Sequence, residues 1–227
     1  MSTKVPWNPD APTPFDGQGW PEQLDARVVS GTRIHGYDAV RDLSRHYRFS
    51  DVVLLALTGE LASDTVARAF EVALTCLAPS SVAEAPAHAG VLARVCEASA
   101  SAVIATTAIG LAEQARFTVA AHGSWLASLD ATSAPSPVAA ADEVEPIREA
   151  LAQIGVSFPT VDRASTAVEA ILAIFHACGL VRPDQLESAW VMARLPVVVA
   201  EAFAAPSGRF KEYPLELPKF AYSEDQE

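Results

Sequence analysis

The chain has few of the residues that build covalently linked or metal-held folds. It contains three cysteines in 227 residues, and Cys76, Cys96 and Cys178 lie far apart. This excludes a disulfide framework, and no His, Cys, Asp or Glu cluster has the spacing of a metal centre. Each cysteine lies in an apolar stretch with helical character. We therefore predict three reduced, buried cysteines and no metal.

Lysine is also scarce, with three residues against thirteen arginines, and the formal net charge is −12 at pH 7. A nucleic-acid partner requires a clustered basic surface, so we do not expect one. The longest uncharged run, residues 98–112, has fifteen residues of mainly Ala, Ser and Thr, too few for a membrane span. No secretory signal pattern opens the chain. We predict a cytoplasmic protein that binds neither nucleic acid nor membrane.

Capping residues and apolar spacing predict helices along most of the chain. Asp38 is placed to cap a helix that begins at Ala39, because its carboxylate can accept hydrogen bonds from first-turn N–H groups. Ser50 is placed to cap the next apolar run, which Gly59 would end. From Asp64 onward, apolar residues recur every three or four positions.

Towards the C-terminus, residues 161–178 are predicted to form one helix that Gly179 ends. Pro183 is placed in the first turn of the next helix, where a proline is tolerated. No alternating pattern typical of a strand stands out, so we predict an all-α fold.

Composition divides the chain into three parts. Residues 1–26 are rich in proline, with aromatic residues between the prolines, which predicts an extended N-terminal arm. Residues 27–204 carry the helical patterns and form the predicted domain. Within it, residues 131–141 are almost entirely Ala, Ser and Pro, which predicts a surface linker. Residues 205–227 are predicted to form an extended C-terminal tail.

Residues 34–63, IHGYDAVRDLSRHYRFSDVVLLALTGELAS, combine a Gly-Tyr corner, a two-helix step and a Thr-Gly-Glu-Leu exit. This segment resembles the citrate synthase superfamily, which also contains short citryl-CoA lyases. The resemblance implies a citrate synthase-like large-domain helical fold with a truncated small domain, residues 131–141 standing in place of most of it. In such relatives, Ala- and Ser-rich helices like those of residues 87–115 build the core and a dimer interface. We therefore expect a homodimer.

The same resemblance implies chemistry on a carbon–carbon bond beside a coenzyme A thioester. In these enzymes a carboxylate moves a proton, a neutral His donates to the enol oxygen, and Arg side chains hold substrate carboxylates. The Phe158–Asp162 segment resembles the family's Pro-Asn-Val-Asp-Phe motif, with Thr160 in place of Asn and Arg163 in place of the aromatic residue. Asp162 is thereby implied as the catalytic base. Without the resemblance, this Asp would be read as a carboxylate at a helix N-terminus.

The other site residues match the family pattern only in part. Arg194 lies in an Ala-Arg-Leu stretch similar to the one that supplies a carboxylate-binding Arg, and Arg209 is a second candidate. His122 resembles the family's His-Gly-Gly histidine and is the candidate proton donor, although it follows the Ala-rich helix later than usual. The family's second histidine motif is missing. His35 occupies a position where relatives often carry Arg, and is a candidate for lining the substrate cleft.

Two functions of different kinds follow from these residues. The first is a citryl-CoA lyase-like or citrate synthase-like enzyme that makes or cleaves a carbon–carbon bond on the CoA thioester of a carboxylic acid. Its base would be Asp162, its proton donor His122 and its carboxylate clamp Arg194. The second is a catalytically degenerate subunit that serves as a dimeric scaffold, a partner of another enzyme or an all-α ligand-binding protein. The missing histidine motif favours the second. His88 and His176 are interpreted as core or capping residues.

Overall fold

The computed structural model of the protein describes residues 27–129 and 142–208. The chain divides after Glu60 into an N-terminal unit and a C-terminal unit. Within the described ranges the secondary structure is mostly helical, with nine α-helices and one small antiparallel sheet. The prediction of a mainly helical fold is therefore confirmed. The predicted arm at 1–26 and linker at 131–141, and residues 209–227 of the predicted tail, lie outside the described residues.

The N-terminal unit opens with a small sheet that the sequence interpretation missed. Strands β1 (Val29–Ser30), β2 (Arg33–Ile34) and β3 (Tyr37–Asp38) pair in antiparallel order. The two residues between β2 and β3, His35 and Gly36, have φ angles of 45° and 89°. Two left-handed residues in a two-residue loop match the twist of paired strands. With two residues in each strand, no alternating pattern could reveal them.

Three helical segments follow the sheet in the N-terminal unit. A π-helical turn, Ala39–Leu43, leads into α1 (Ser44–His46), and α2 spans Phe49–Thr58. Asp38 Oδ1 accepts hydrogen bonds from the N–H groups of Val40 and Arg41, at 3.0 and 2.8 Å, so the predicted cap is confirmed. Gly59 ends α2 with a φ of 86°, also as predicted.

The predicted cap of α2 is wrong. Ser50 lies inside the helix, which begins one residue earlier, and its buried hydroxyl makes no hydrogen bond to any described residue. The first turn is closed by Asp51, whose Oδ2 accepts from the backbone N–H of Arg48 at 2.7 Å. A carboxylate three residues into the helix can reach back to the free N–H that precedes it, and this competes with a cap at the serine.

The described part of the C-terminal unit, residues 61–129 and 142–208, contains seven α-helices and one 3₁₀ turn, Val161–Arg163. The helices are α3 (Asp64–Leu77), α4 (Ala85–Val95), α5 (Ala100–Ala121), α6 (Gly123–Leu129), α7 (Glu145–Gln153), α8 (Ala167–Ala177) and α9 (Pro183–Ala204). The continuous helix predicted from residue 161 is wrong. Its first turn is the 3₁₀ turn, and α8 begins only after the side chain of Thr166 caps it.

The core of this unit is built by α4, α5 and α9. Helix α5 buries one continuous stripe at four-residue spacing, formed by Val103, Thr107, Leu111, Ala115 and Val119. Leu111 packs with Ala87 of α4 and Val198 of α9. Helices α5 and α9 run antiparallel, since Leu111 meets Val198 while Gln114 meets Arg194.

Glycine allows these three helices to approach closely. A Cβ added at Gly90 of α4 would lie 2.4 Å from Thr107 Oγ1 and 3.1 Å from Ala202 Cβ. A Cβ at Gly110 of α5 would lie 3.1 Å from the Cα of Pro86. Side chains at these two positions would force the helices apart.

A second layer brings α3 against α8. The rings of Phe70 and Phe175 lie with their centroids 5.6 Å apart, and both side chains are buried. Cys178 is buried beside α3, where its thiol donates to the carbonyl of Val66 at 3.6 Å. Cys76 and Cys96 are exposed, so the prediction of three buried cysteines is wrong for two of them.

Candidate functional site

A cavity of about 370 Å³ opens where α5, α6, α8 and α9 meet in the C-terminal unit. Its wall is mostly apolar, with three polar or charged side chains. The lining residues are Arg116, Val119, Ala120, Gly123, Leu126, Ala127, His176, Val181, Pro183, Leu186 and Glu187. Cavities of this size are typical of sites for small molecules.

Local sequence signals place the cavity at the ends of helices. Helix α5 stops at Ala121 and α6 starts two residues later, so the chain turns at His122. Helix α8 stops before Gly179, whose φ of 90° suits only a residue without a side chain. Pro183 then begins α9, as the sequence predicted, because a first-turn proline lacks only an N–H that the helix does not use. The cavity lies between these two turns.

The charge of Arg116 in the cavity wall is already compensated. Its Nε and Nη2 groups both donate to Glu113 Oε2, at 3.1 and 2.6 Å. The hydrogen bond from Arg116 lowers the pKa of Glu113, and Glu113 in turn raises the pKa of Arg116. Glu187 contributes a further, weaker electrostatic interaction that also raises the pKa of Arg116. The arginine therefore brings no unbalanced positive charge to the cavity.

Arg194 lies in the core, where other groups of the protein hold its guanidinium. The residue is only 6% exposed. Its Nη2 donates to Glu84 Oε1 at 2.7 Å and to the Pro79 carbonyl at 3.1 Å, and its Nη1 donates to Gln114 Oε1 at 2.8 Å. Its Cζ also lies 6.0 Å from the ring centre of Trp190. The predicted carboxylate clamp thus binds a carboxylate that belongs to the chain itself.

Glu84 is held by several donors at once. Gln114 Nε2 donates to its Oε2 at 2.8 Å, and the backbone N–H of Ser81 donates to its Oε1 at 3.0 Å. Burial alone would raise the pKa of Glu84, but the hydrogen bonds from Arg194 and Gln114 outweigh it and lower the pKa to about 2. Glu84 is therefore ionised at neutral pH and forms a permanent ion pair with the arginine.

Asp162 lies in the 3₁₀ turn before α8, with its side chain 55% exposed. Its Oδ1 is 3.7 Å from Nε of Arg148, and Nη2 of Arg148 donates to its backbone carbonyl at 3.2 Å. Next to it, Arg163 donates to the carbonyl and hydroxyl of Ser128, at 2.9 and 3.1 Å, which ties the turn to α6. The candidate base is thus a surface carboxylate paired with an arginine.

His122 is half-buried at the C-terminus of α5. Its Nδ1 lies 2.8 Å from the carbonyl oxygen of Thr118, an acceptor, so Nδ1 carries the hydrogen. In the neutral ring Nε2 is then an acceptor. A neutral His122 held in this way can take a proton at Nε2 but cannot donate one there.

The remaining predicted site residues are placed as follows. His35 belongs to the N-terminal unit, where its Nε2 lies 3.4 Å from the carbonyl of Ala56. Arg209 lies outside the described residues. Asp162, His122 and Arg194 all belong to the C-terminal unit, but none of the three is among the residues that line the cavity.

Sequence reasoning missed the residues that do line the cavity. His176 was interpreted as a core or capping residue, yet it lines the cavity together with Arg116 and Glu187. These three come from different helices, and no motif joins them. The local sequence signals were Gly123, just after α5, and Pro183, at the start of α9. They mark helix ends, and helix ends that meet leave room for a cavity.

Within the described ranges, no group of three or more His, Cys, Asp or Glu side chains is arranged to hold a metal ion. In the same part of the chain, no helix combines the length and apolarity needed to cross a bilayer. The chain matches no known protein-family model and no curated protein.

Proposed function

We propose that this protein binds a small, largely apolar molecule in the cavity between α5, α6, α8 and α9. The cavity itself carries the proposal, because it combines about 370 Å³ of space, an apolar wall and a few polar side chains. That combination is typical of small-molecule sites. This proposal corresponds to the second function considered from the sequence, in its form as an all-α ligand-binding protein.

The condition of the predicted catalytic residues supports a binding function over catalysis. Arg194 would have to release Glu84, Gln114 and the Pro79 carbonyl before it could hold a substrate carboxylate. Leaving a buried charge without its partner costs up to about 3 to 5 kcal/mol, which a substrate would have to supply. His122, as a neutral ring, offers no proton from Nε2. A binding protein needs none of these groups.

A cavity-filling variant tests the binding function. Ala120 lines the cavity and is exposed, so Ala120→Trp would occupy the space without disturbing the core. Ala152→Trp is the matched control, because Ala152 is exposed on α7, which contributes no residue to the cavity wall. We expect a panel of small apolar molecules to raise the Tm of the wild type and of Ala152→Trp, and to leave that of Ala120→Trp unchanged. Equal responses of both variants would refute binding in this cavity.

The second candidate is a citryl-CoA lyase-like or citrate synthase-like activity on a CoA thioester. It is favoured by the resemblance of residues 34–63 and by the exposed carboxylate of Asp162 beside Arg148. Titration with coenzyme A, acetyl-CoA and citrate, followed by a citryl-CoA cleavage assay, tests it. Turnover that Asp162→Asn abolishes and Asp142→Asn retains would establish this activity. Absence of binding and turnover would exclude it.

We also propose that the protein is a homodimer through the exposed face of α5. From Ala100 to Ala112 this helix carries no charged residue, and Ile109 is 67% exposed on it. Small residues allow a second helix to approach closely, and an uncharged face avoids the repulsion that a net charge of −12 would otherwise impose on two copies. Ile109→Glu should give monomers in sedimentation experiments, whereas Val82→Glu, in the loop before α4, should not. A monomeric wild type would refute the proposal.

A further inference from the structure

Glu187, the acidic side chain in the cavity wall, determines which chemical class of ligand the cavity favours. Among the described residues it accepts no hydrogen bond, and it interacts electrostatically with Arg116. Arg116 in turn gives both its Nε and Nη2 hydrogens to Glu113. The carboxylate of Glu187 can therefore accept hydrogen bonds from a bound ligand.

With His176 counted as neutral, the charge balance of the ionisable groups around the cavity is negative. The two carboxylates of Glu113 and Glu187 stand against the single guanidinium of Arg116. The sequence as a whole carries a net charge of −12, which adds a long-range field of the same sign. Such a site disfavours carboxylates and phosphates and favours cations.

The apolar part of the wall specifies the rest of the ligand. Val119, Leu126 and Leu186 come from three helices and surround the space with aliphatic side chains. Transfer of an aliphatic or aromatic group from water into such a wall is favourable by about 25 cal/mol for each Å² removed from water. A ligand with an apolar body and one positive group would satisfy both parts of the wall.

On the basis of the proposed binding function, we propose that the ligand is a small hydrophobic amine. Its ammonium group binds the Glu187 carboxylate, and its apolar body lies against Val119, Leu126 and Leu186. A carboxylate of the same shape would meet Glu187 and would be repelled. An alcohol of the same shape would be accepted but would lack the charge interaction.

Three probes of nearly equal shape separate these classes: 2-phenylethylamine, 2-phenylethanol and phenylacetate. We expect calorimetric titration of the wild type to give the tightest binding for the amine, by about fivefold to tenfold over the alcohol, and the weakest for the acid, because a half-buried charge pair is stronger than one in open solvent. Added salt should weaken the binding of the amine and leave that of the alcohol nearly unchanged.

Glu187→Gln is the decisive variant, since it keeps the shape and removes the charge. It should lower the affinity for the amine to that for the alcohol. Glu201→Gln, an exposed residue farther along the same helix, is the control and should keep the preference. Equal wild-type affinities for amine and alcohol, or a preference that survives in Glu187→Gln, would overturn the ligand class. If all three probes bind equally and Ala120→Trp abolishes binding, the binding function stands without the amine. If none binds, both proposals fail.

Discussion

Replacing Gly90 by alanine tests whether the close approach of α4, α5 and α9 stabilises the C-terminal unit. On an isolated helix the change would be favourable by about 1 kcal/mol, because alanine is the better helix former. In the folded protein the new methyl group would lie 2.4 Å from Thr107 Oγ1 and 3.1 Å from Ala202 Cβ. The two effects therefore have opposite signs.

The packing cost outweighs the helix propensity. Thr107 is fully buried, and its hydroxyl donates to the Val103 carbonyl at 2.8 Å, so rotating the side chain away would break a buried hydrogen bond. Such a loss costs about 1 to 3 kcal/mol, and overpacking a core costs about the same. Taking the two costs together as about 3 kcal/mol and subtracting about 1 kcal/mol for the helix propensity, we expect Gly90→Ala to lower the free energy of unfolding by about 2 kcal/mol. For a chain of this size the Tm then falls by about 4 to 8 °C.

Urea unfolding followed by far-UV circular dichroism measures this change, and second substitutions identify its cause. Thr107→Ala removes the atom that clashes and should recover most of the loss in the Gly90→Ala background. Thr107→Ser keeps the hydroxyl and should not. Gly123→Ala is a control for the glycine effect, because a Cβ there meets no atom within 4 Å. A Gly90→Ala protein as stable as the wild type would refute the proposed close packing.

Further predictions concern single contacts. Because the folded pKa of Glu84 is about 2 against a usual 4.5, its stabilisation is complete above pH 4.5 and is lost as the pH falls toward 2. Glu84→Gln should lower the free energy of unfolding at pH 7 by about 3 kcal/mol, since it leaves the buried guanidinium of Arg194 without its carboxylate, and should flatten stability against pH in that range. Burial raises the pKa of the Cys178 thiol to about 12, so a thiol reagent should modify exposed Cys96 in the native protein and Cys178 only after denaturation. Gly59→Ala should cost about 1 kcal/mol in thermal unfolding, because the φ of 86° strains any residue with a Cβ. A stability difference between the wild type and Glu84→Gln that does not change with pH would contradict the first prediction. Modification of Cys178 in the native protein would contradict the second, and an unchanged Tm of Gly59→Ala would contradict the third.

Part of the fold could be predicted from the sequence because its causes are local. Asp38, Gly59 and Pro183 act on the backbone within about four residues of themselves, so the helix ends that they define were predicted correctly. The regular apolar spacing from Asp64 defines α3 in the same way. The predicted cap at Ser50 was wrong because the carboxylate of Asp51 accepts the hydrogen bond from the N–H of Arg48 and closes the first turn instead. Two local signals competed there, and only the folded chain resolved the competition.

The candidate site depended on contacts that no local pattern contains. The partners of Arg194, namely Gln114, Glu84 and Pro79, lie 80 to 115 residues away along the chain. An arginine in an apolar stretch must find an acid or face solvent, and the sequence left open which acid it would be. From the sequence, His176 was likewise interpreted as a core or capping residue. Only the packing of α8 beside α5 and α9 places it in the cavity wall.

The sequence by itself determined that the chain is mostly helical, where several of its helices begin or end, and that its net charge is negative. Only the tertiary structure decided that Arg194 is bound to Glu84 and that Arg116, His176 and Glu187 share one cavity. The physical reason is the separation along the chain of the groups that interact. Helix formation and capping depend on groups a few residues apart, whereas ion pairs and cavity walls depend on which helix faces pack together, and that is fixed by side-chain shape across the whole core.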